Sequence, residues 1–396
     1  MNKIFPEGKP QAAVLAAFFA CGALMATWVA RIPAVQTKLN LSEGGLGLVL
    51  LGLSIGVLTA LSLSGGLVAR YGSRKVTLIG GLGMCAALPL LALAPHPALL
   101  FPGLTLFGAA MSSMDVAMNE QAVLVERKAG YALMSSFHAS YSVGALFGAL
   151  TSAGMASIRA MPLALHFLLA SIFFTAILVF MYPHLLPTTS GSKEKKITFQ
   201  FPKRPLWALG AIAFCSAMNE IAMADWSGVY LTRVLQTNAA FAALGYAAFS
   251  LTMTLGRMFG DWISKKIQPA DMVRFGGLLT AAGLVILILT DHPALAIAGF
   301  AAVGLGLSNI IPLVYSAAGN IPGIAPGTGI AGVANIGYMG SLVGPTTIGL
   351  IANATSLRVS FGMIAGLAVI LVLMAGRVAA AHAPVQEACV IEETRS

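Results

Sequence analysis

Residues 114–148, MDVAMNEQAVLVERKAGYALMSSFHASYSVGALFG, place ionisable and amide side chains inside sequence that is otherwise apolar enough to lie in lipid. The polar members are Asp115, Asn119, Glu120 and His138. Such groups are costly at membrane depth unless they face protein or water, so we interpret them as functional. The charged run Glu126-Arg127-Lys128 divides the stretch. The stretch therefore predicts two membrane-spanning helices joined by a cytoplasmic turn.

The rest of the chain has the composition of a membrane protein. Of 396 residues, 58% are hydrophobic and 9% are charged, whereas a soluble domain is about 25% charged. A helix needs about 20 apolar residues to cross a bilayer. About twelve such runs lie near residues 11–33, 44–69, 76–94, 99–125, 132–155, 161–182, 205–230, 239–260, 272–290, 294–317, 327–352 and 356–380. The predicted fold is an all-α membrane protein with almost no sequence left for a soluble domain.

Basic residues are distributed by side of the membrane. The net charge of +9 does not come from a clustered basic stripe, so we expect no nucleic-acid partner. With the N-terminus in the cytoplasm, 18 of the 23 Lys and Arg residues fall on the cytoplasmic side. The exceptions are Arg31, Lys38, Arg159, Arg233 and Arg358. This positive-inside bias predicts that both termini are cytoplasmic.

The chain repeats internally. The run His96-Pro97-Ala98-Leu99 recurs as His292-Pro293-Ala294-Leu295, an offset of 196 residues, and matches in the same order extend across about five spans, as expected for a duplicated transporter. We predict a six-helix bundle at 1–182, a cytoplasmic linker at 183–204, a second six-helix bundle at 205–382 and a cytoplasmic tail at 383–396. The polar linker is either a flexible joint between moving halves or simply a solvated loop.

The two halves and a short basic turn after the second span resemble the major facilitator superfamily. That family has Gly-x-x-x-Asp-Arg-x-Gly-Arg-Arg in this turn, and here Gly65 is followed by Ala69 at the acid position and by the basic run 70–75. The glycines and basic residues match, whereas the acid is absent. The resemblance implies two six-helix repeats, alternating access and a monomer.

Three shorter motifs are similar to a little-characterised bacterial group of inner-membrane transporters, related more distantly to fucose/proton symporters. The motifs are Trp28-x-x-Arg31-Ile32-Pro33, Asp115-Val116-Ala117-Met118-Asn119 and Phe137-His138-Ala139. This resemblance implies a location in the bacterial cytoplasmic membrane and says little about the substrate.

Asp115 and Asn119 fall on one face of the fourth span, at positions i and i+4. At about 1.5 Å per residue, Asp115 lies about 15 Å from the cytoplasmic end, while Asn119 and His138 lie about 9 Å from it. Burial favours a neutral carboxyl group, so we hypothesise that Asp115 binds the proton while Asn119 and His138 bind substrate. The alternative is a structural Asp–His or Asp–Asn hydrogen bond that joins the two spans. Glu120 is about 140° away around the helix and is expected to contact a neighbouring helix.

The seventh span supplies a second candidate proton site, Glu220. Near its periplasmic end lies Asp225, and Arg31 lies at the same end of the first span. In the family these two spans face each other across the cavity, which suggests an Arg31–Asp225 bridge that closes the outer side. The alternative is that Arg31 extends to the membrane interface.

A further set of charged residues is predicted to act as a gate on the cytoplasmic side. Its members are Arg70, Arg74, Glu126, Arg257 and Asp261. Arg70 and Arg74 can pair with Glu126 when that side is closed, and Arg257 and Asp261 stand one helical turn apart, at the spacing of an i,i+4 pair.

Aromatic and amide side chains are candidates to line the cavity and bind a sugar-like solute by stacking and hydrogen bonding. They are Trp28, Tyr141, Asn219, Trp226, Asn309, Tyr315, Asn335 and Tyr338. For the two tryptophans the alternative is the general enrichment of tryptophan at membrane interfaces.

The expected function is secondary transport of a small polar solute, sugar-like or an organic acid, by proton symport. The alternatives are proton-coupled efflux of an amphipathic compound and a transporter-like receptor without transport. The expected partners are the solute, protons and the bilayer. We expect that the protein is not an enzyme and that it binds neither a metal nor a cofactor, because the sequence has neither metal-binding spacing nor a phosphate-binding loop.

Overall fold

The computed structural model describes residues 4–129, 133–158, 161–187, 206–264, 266–322, 324 and 326–380. Its helices are α1 (Ile4–Val29), α2 (Ile32–Lys38), α3 (Glu43–Tyr71), α4 (Ser73–Leu93), α5 (Pro97–Ala129), α6 (Met134–Ser157), α7 (Leu163–Met181), α8 (Trp207–Arg233), α9 (Ala239–Ser264), α10 (Pro269–Leu289), α11 (Pro293–Leu307), α12 (Ile310–Gly319), α13 (Pro326–Ala354), α14 (Leu357–Met374) and α15 (Gly376–Ala380). A 3-10 turn, Tyr182–His184, follows α7.

Ten helical segments within the described ranges are long and apolar enough to cross a membrane. Two of these segments are built from consecutive helices, α1 with α2 and α11 with α12. Helices α6 and α13 are 24 and 29 residues long, which exceeds the span of a bilayer, and they complete a set of twelve. The predicted fold class, an all-α membrane protein of about twelve spanning helices, is confirmed.

The first and second halves of the bundle meet along two helix pairs, α3 with α13 and α6 with α9. A Cβ atom at Gly47 of α3 would lie 2.6 Å from the carbonyl oxygen of Pro345 on α13. Nearby, the Thr346 hydroxyl donates to the Gly47 carbonyl and the Ser54 hydroxyl donates to the Ser341 carbonyl, both at 3.2 Å. Backbone therefore touches backbone along this part of the pair.

Gly65, near the other end of α3, faces open space. At Gly65 of α3, no atom lies within 4 Å of the position that a Cβ would occupy. We call the end near Glu43 and Ala354 the closed end, and the end that carries the α3–α4 turn the open end. The positive-inside pattern predicts that the closed end faces the outside of the cell.

Large side chains are fully buried towards the closed end. Trp28 and Ile32 from the first half, with Trp226 and Tyr230 from the second, have no exposed surface. Helix α2 packs on α8, where a Cβ at Gly228 would lie 3.0 Å from Cγ of Pro33. The conformation is therefore closed at the predicted outer side and open towards the predicted inner side.

The start of the predicted linker is held against the first half. Gln121 donates to the Leu186 carbonyl and accepts from the Leu186 amide, both at 2.9 Å. Arg74 donates to the Tyr182 carbonyl at 3.1 Å, and its guanidinium carbon lies 4.5 Å from the centre of the Tyr182 ring. Residues 188–205 and 381–396, which include most of the linker and the whole tail, lie outside the described residues. The domain boundaries remain a prediction.

We expect Gly47→Ala to disfavour the closed end, because α13 backbone occupies the space that the methyl group needs. Overpacking of this kind costs about 1–3 kcal/mol, which shifts the equilibrium about fivefold or more towards molecules open at that end. Distances between spin labels on the loops that flank α3 and α13 at the closed end measure this shift. Gly65→Ala on the same helix serves as the control and should leave the distances unchanged. A Gly47→Ala protein with the wild-type distance distribution would contradict the packing account.

Candidate functional site

A cavity of about 560 Å³ lies between the two halves. It is within the usual range for small-molecule sites, about 300–1,000 Å³. It extends to the open end, because Met134, the first residue of α6, is part of its wall. Its polar lining from the first half is Asp115, His138, Tyr141 and Ser142, and from the second half Thr254, Arg257 and Asn309. Both halves therefore present polar and charged groups to one space.

Asp115 projects from α5 into this cavity and is exposed there. The Asn119 amide donates to the Asp115 side chain at 3.2 Å and to its backbone carbonyl at 2.8 Å. Both residues belong to α5, so this hydrogen bond does not join two spans. It therefore differs from the alternative of an Asp–Asn hydrogen bond between neighbouring spans. The arrangement fixes the carboxyl group while leaving it in contact with the cavity.

His138 is exposed to the cavity on the neighbouring helix, α6. Its ring packs edge-on against Phe18 of α1, with ring centres 5.3 Å apart. The start of α6 is fixed by Glu126, whose carboxylate accepts from the amides of Leu133 at 2.6 Å and Met134 at 2.9 Å. Glu126 therefore caps a helix in this conformation. The predicted pairing of Glu126 with the α3–α4 turn applies to the opposite conformation.

The two arginines of that turn contact aromatic rings. The Arg70 guanidinium carbon lies 5.2 Å from the centre of the Tyr71 ring, and Arg74 holds Tyr182 as described above. Arg74 thus fixes the 3-10 turn after α7 in this conformation. The role of both arginines in a cytoplasmic gate stays a prediction.

Arg257 reaches the cavity from α9, where a proline on another helix helps to hold it. Pro312 of α12 has no amide hydrogen and cannot bond the carbonyl of Ser308, four residues earlier. The spanning segment is interrupted there, between Leu307 and Ile310. The Ser308 carbonyl accepts instead from Nε of Arg257 at 3.4 Å. The proline therefore frees an acceptor that positions the guanidinium.

Glu220 of α8 is the acid that lies beside this arginine. Nη2 of Arg257 is 3.8 Å from Oε1 of Glu220, and the two side chains are 44% and 42% exposed. Asp261, the predicted partner of Arg257, has a side chain outside the described residues, so that pairing stays a prediction. The i,i+4 spacing with Asp261 predicted a place for Arg257 in a cytoplasmic gate, near the end of a span predicted to stop at residue 260. Helix α9 continues to Ser264, which sets Arg257 about 6 Å deeper.

Asn309 lines the cavity as predicted and also holds the interrupted segment against α9. Its amide donates to the Gly256 carbonyl at 2.9 Å and to the Ser308 hydroxyl at 3.0 Å. A Cβ at Gly256 would lie 2.3 Å from Ser308 Oγ, and one at Gly260 would lie 2.0 Å from Asn309 Oδ1. The two glycines therefore permit the close approach that brings Arg257 and Asn309 together.

Three predicted substrate-binding residues are enclosed and do not line this cavity. Trp28, Asn219 and Trp226 have no exposed surface. The Asn219 amide donates to the Cys215 carbonyl one turn earlier in α8, at 2.8 Å. The two tryptophans are buried towards the closed end. Their residue types predicted contact with substrate. The helix faces on which they lie turn their side chains into the protein interior instead.

Three other predicted binding residues come from α12 and α13. Tyr338 is exposed and Tyr315 is half-buried. Asn335 is half-buried. None of the three is part of the wall of the 560 Å³ cavity. Conversely, the wall includes Phe18, Cys21 and Met111, which the sequence does not distinguish from core residues.

Arg31 and Asp225 lie at the closed end, but the structure does not place them within ion-pair distance. They are 6% and 2% exposed, and each has buried polar atoms without a hydrogen-bond partner among the described residues. The predicted bridge is thus absent from this conformation, and the end is closed by helix packing.

The sequence matches the model of the Major Facilitator Superfamily over residues 13–331. The chain belongs to the major facilitator superfamily. It is therefore a multi-pass membrane protein of a family that carries out secondary transport across a membrane, as the resemblance implied. Because the match spans most of the chain, the family describes the whole fold.

Relatives of this major facilitator protein cover nearly its full length. It is 38% identical to an uncharacterized MFS-type transporter of Yersinia pestis over 360 residues, covering 91% of this chain and 93% of the relative. It is 32% identical to the membrane protein MosC of Rhizobium meliloti over 349 residues, covering 87% and 84%.

Solved structures show the same fold at low sequence identity. A mutant of the nucleoside transporter NupG aligns with a TM-score of 0.78 at 11% identity, covering 93% of this chain and 99% of that one. A bacterial homolog of the human lysosomal transporter Spinster, in an inward-facing and occupied conformation, aligns with a TM-score of 0.70 at 12% identity, covering 94% and 96%.

We expect Asp225→Asn to favour the conformation that is closed at the end carrying Asp225. A charged carboxylate buried without a partner is costly, and asparagine removes the charge at nearly the same size. The population open at this end should fall several-fold, as measured with the spin-label distances used for Gly47. Asp291→Asn is the control, because Asp291 is 87% exposed and bonded to Arg358 at the same end. A rise in the open population of Asp225→Asn would contradict this account.

Proposed function

We propose that this protein imports a small polar solute, sugar-like or an organic acid, together with a proton across the bacterial cytoplasmic membrane. The two halves would rock around the central cavity and expose it to each side in turn. The predicted orientation places both termini in the cytoplasm, and the protein would act as a monomer. Asp115, exposed in a cavity between the halves, is the observation that carries this proposal.

The position of Asp115 suits reversible proton binding. In the present conformation the cavity reaches the open end, so the carboxyl group can exchange a proton with that side. When the halves close over the cavity, water leaves, and a carboxyl group without water or a counter-ion favours its neutral form. Asn119 keeps the group in place in both cases. Proton binding and cavity closure would thereby become linked.

His138 and Tyr141 from α6 and Asn309 at the α11–α12 break supply polar contacts for a solute beside Asp115. Glu220 remains a second candidate for the proton, since it lies at the edge of the same polar region, next to Arg257. The fold is shared with a nucleoside transporter and with a Spinster homolog solved in an inward-facing state, which supports a cavity that alternates between the two sides.

We expect Asp115→Asn to abolish uphill uptake and to retain exchange. Net symport requires Asp115 to release its proton on the inner side, whereas exchange of bound solute for free solute does not. Uptake of a labelled solute, first identified by thermal-shift screening of sugars, sugar acids and amino acids, is measured in proteoliposomes with an imposed pH gradient. Accumulation should fall to the equilibrium level, with exchange within about threefold of wild type.

Glu120→Gln on the same helix is the control, because Glu120 is not part of the cavity wall, and it should accumulate solute normally. Uphill accumulation by Asp115→Asn would show that the proton binds elsewhere. Expulsion of preloaded solute by the wild-type protein, when the outside is acidified, would favour the efflux alternative.

A further inference from the structure

The cavity contains an arginine whose ion pair is incomplete. Nη2 of Arg257 stands 3.8 Å from Oε1 of Glu220, beyond the 2.7–3.2 Å of a direct hydrogen bond. Nε is directed to the Ser308 carbonyl. The guanidinium is thus held from one side by backbone, while its outer donors face a space that is open to solvent. Arginine presents these donors in a planar fork that matches a carboxylate.

The partner of this arginine is not fixed tightly either. Glu220 is 42% exposed, and the structure gives its carboxylate no closer ion pair among the described residues. A half-exposed pair at this distance contributes little stability. A ligand carboxylate that forms two short charge-assisted hydrogen bonds to the fork would bind more strongly than Glu220 does. Glu220 can therefore balance the charge of Arg257 until a ligand binds. The ligand carboxylate would then displace Glu220 from Arg257.

The opposite wall carries the complementary groups. His138 of α6 and Asp115 of α5 both line the cavity on that side. An ionised Asp115 would repel an anion, whereas a protonated Asp115 would not, and it could then donate a hydrogen bond to the solute. Anion binding and proton binding in this cavity would therefore assist each other, and such coupling is reciprocal.

Resting on the transport function proposed above, we propose that the solute is a small organic anion whose carboxylate binds Arg257 in place of Glu220. Its remaining polar groups, such as hydroxyls, would face Asp115 and His138. The substrate class is thus narrowed from sugar-like solutes and organic acids to hydroxy-carboxylates. The proton is needed because Asp115, in the first half of the cavity, carries a negative charge of its own.

The test uses the purified full-length protein and matched pairs of compounds. The probes are glucuronate against glucose, galacturonate against galactose, and gluconate against sorbitol. Binding of each compound is measured by thermal shift and titration calorimetry. At least one acid should bind at least about tenfold more tightly than its neutral counterpart, the size expected for one charge-assisted pair of about 1.5–3 kcal/mol. Glu220→Gln should bind the same acid more tightly, because the competing carboxylate is removed.

Arg257→Gln should remove the preference for the acid over its neutral counterpart. Arg257→Lys keeps the charge without the fork and should retain part of the preference for the acid. A preference that falls in this order, in variants that both remain folded, can be assigned to the guanidinium. Arg358→Gln is the matched control, since Arg358 pairs with Asp291 away from the cavity, and it should bind like wild type.

Binding of neutral compounds without a preference for acids would overturn the anion inference and leave solute transport standing. Absence of acid binding by the wild-type protein would overturn it as well. Tighter acid binding that survives Arg257→Gln would place the carboxylate elsewhere and would equally overturn it.

Discussion

A charged side chain at membrane depth must face either protein or water, and this constraint organises the molecule. Asp115 and Arg257 satisfy it by facing a cavity that is open at one end. Arg31 and Asp225 are enclosed at the other end, where packing surrounds them and no ion pair joins them. In the transport cycle proposed here, a change of conformation would hydrate one pair of charges and enclose the other.

The second organising feature is backbone contact between the halves. Gly47 lies against the carbonyl of Pro345, and Gly349 lies against the carbonyl of Glu43. Contacts of this closeness are either made or lost, because packed helices slide or separate as units and do not deform gradually. The same principle acts within the second half, where Gly256 and Gly260 admit the break between α11 and α12. Small residues thus set both the close contact between the halves and the geometry of the cavity wall around Arg257.

Much of the fold was predictable because the bilayer leaves few choices. Backbone polar groups in lipid must bond within their own segment, so long apolar runs become helices, and all twelve predicted runs correspond to helical segments. Counting residues along two helices also placed Asp115 and His138 at similar depth, and both line the cavity. Helix ends were predicted less accurately, since α9 continues four residues beyond its predicted end, and the place of Arg257 in the cavity wall was not predicted.

Hydropathy and charge act locally along the chain, so residue order alone was enough to predict the class of fold, about twelve spans and the intramembrane acid at position 115. Which polar side chains share a space depends instead on how the helices pack. Packing directed Trp28, Asn219 and Trp226 into protein, left Arg31 and Asp225 apart, and brought Arg257 from α9 to Glu220 on α8. The rotation of each helix about its axis, and the end at which the halves converge, follow from contacts between segments far apart in the chain, which no local pattern encodes.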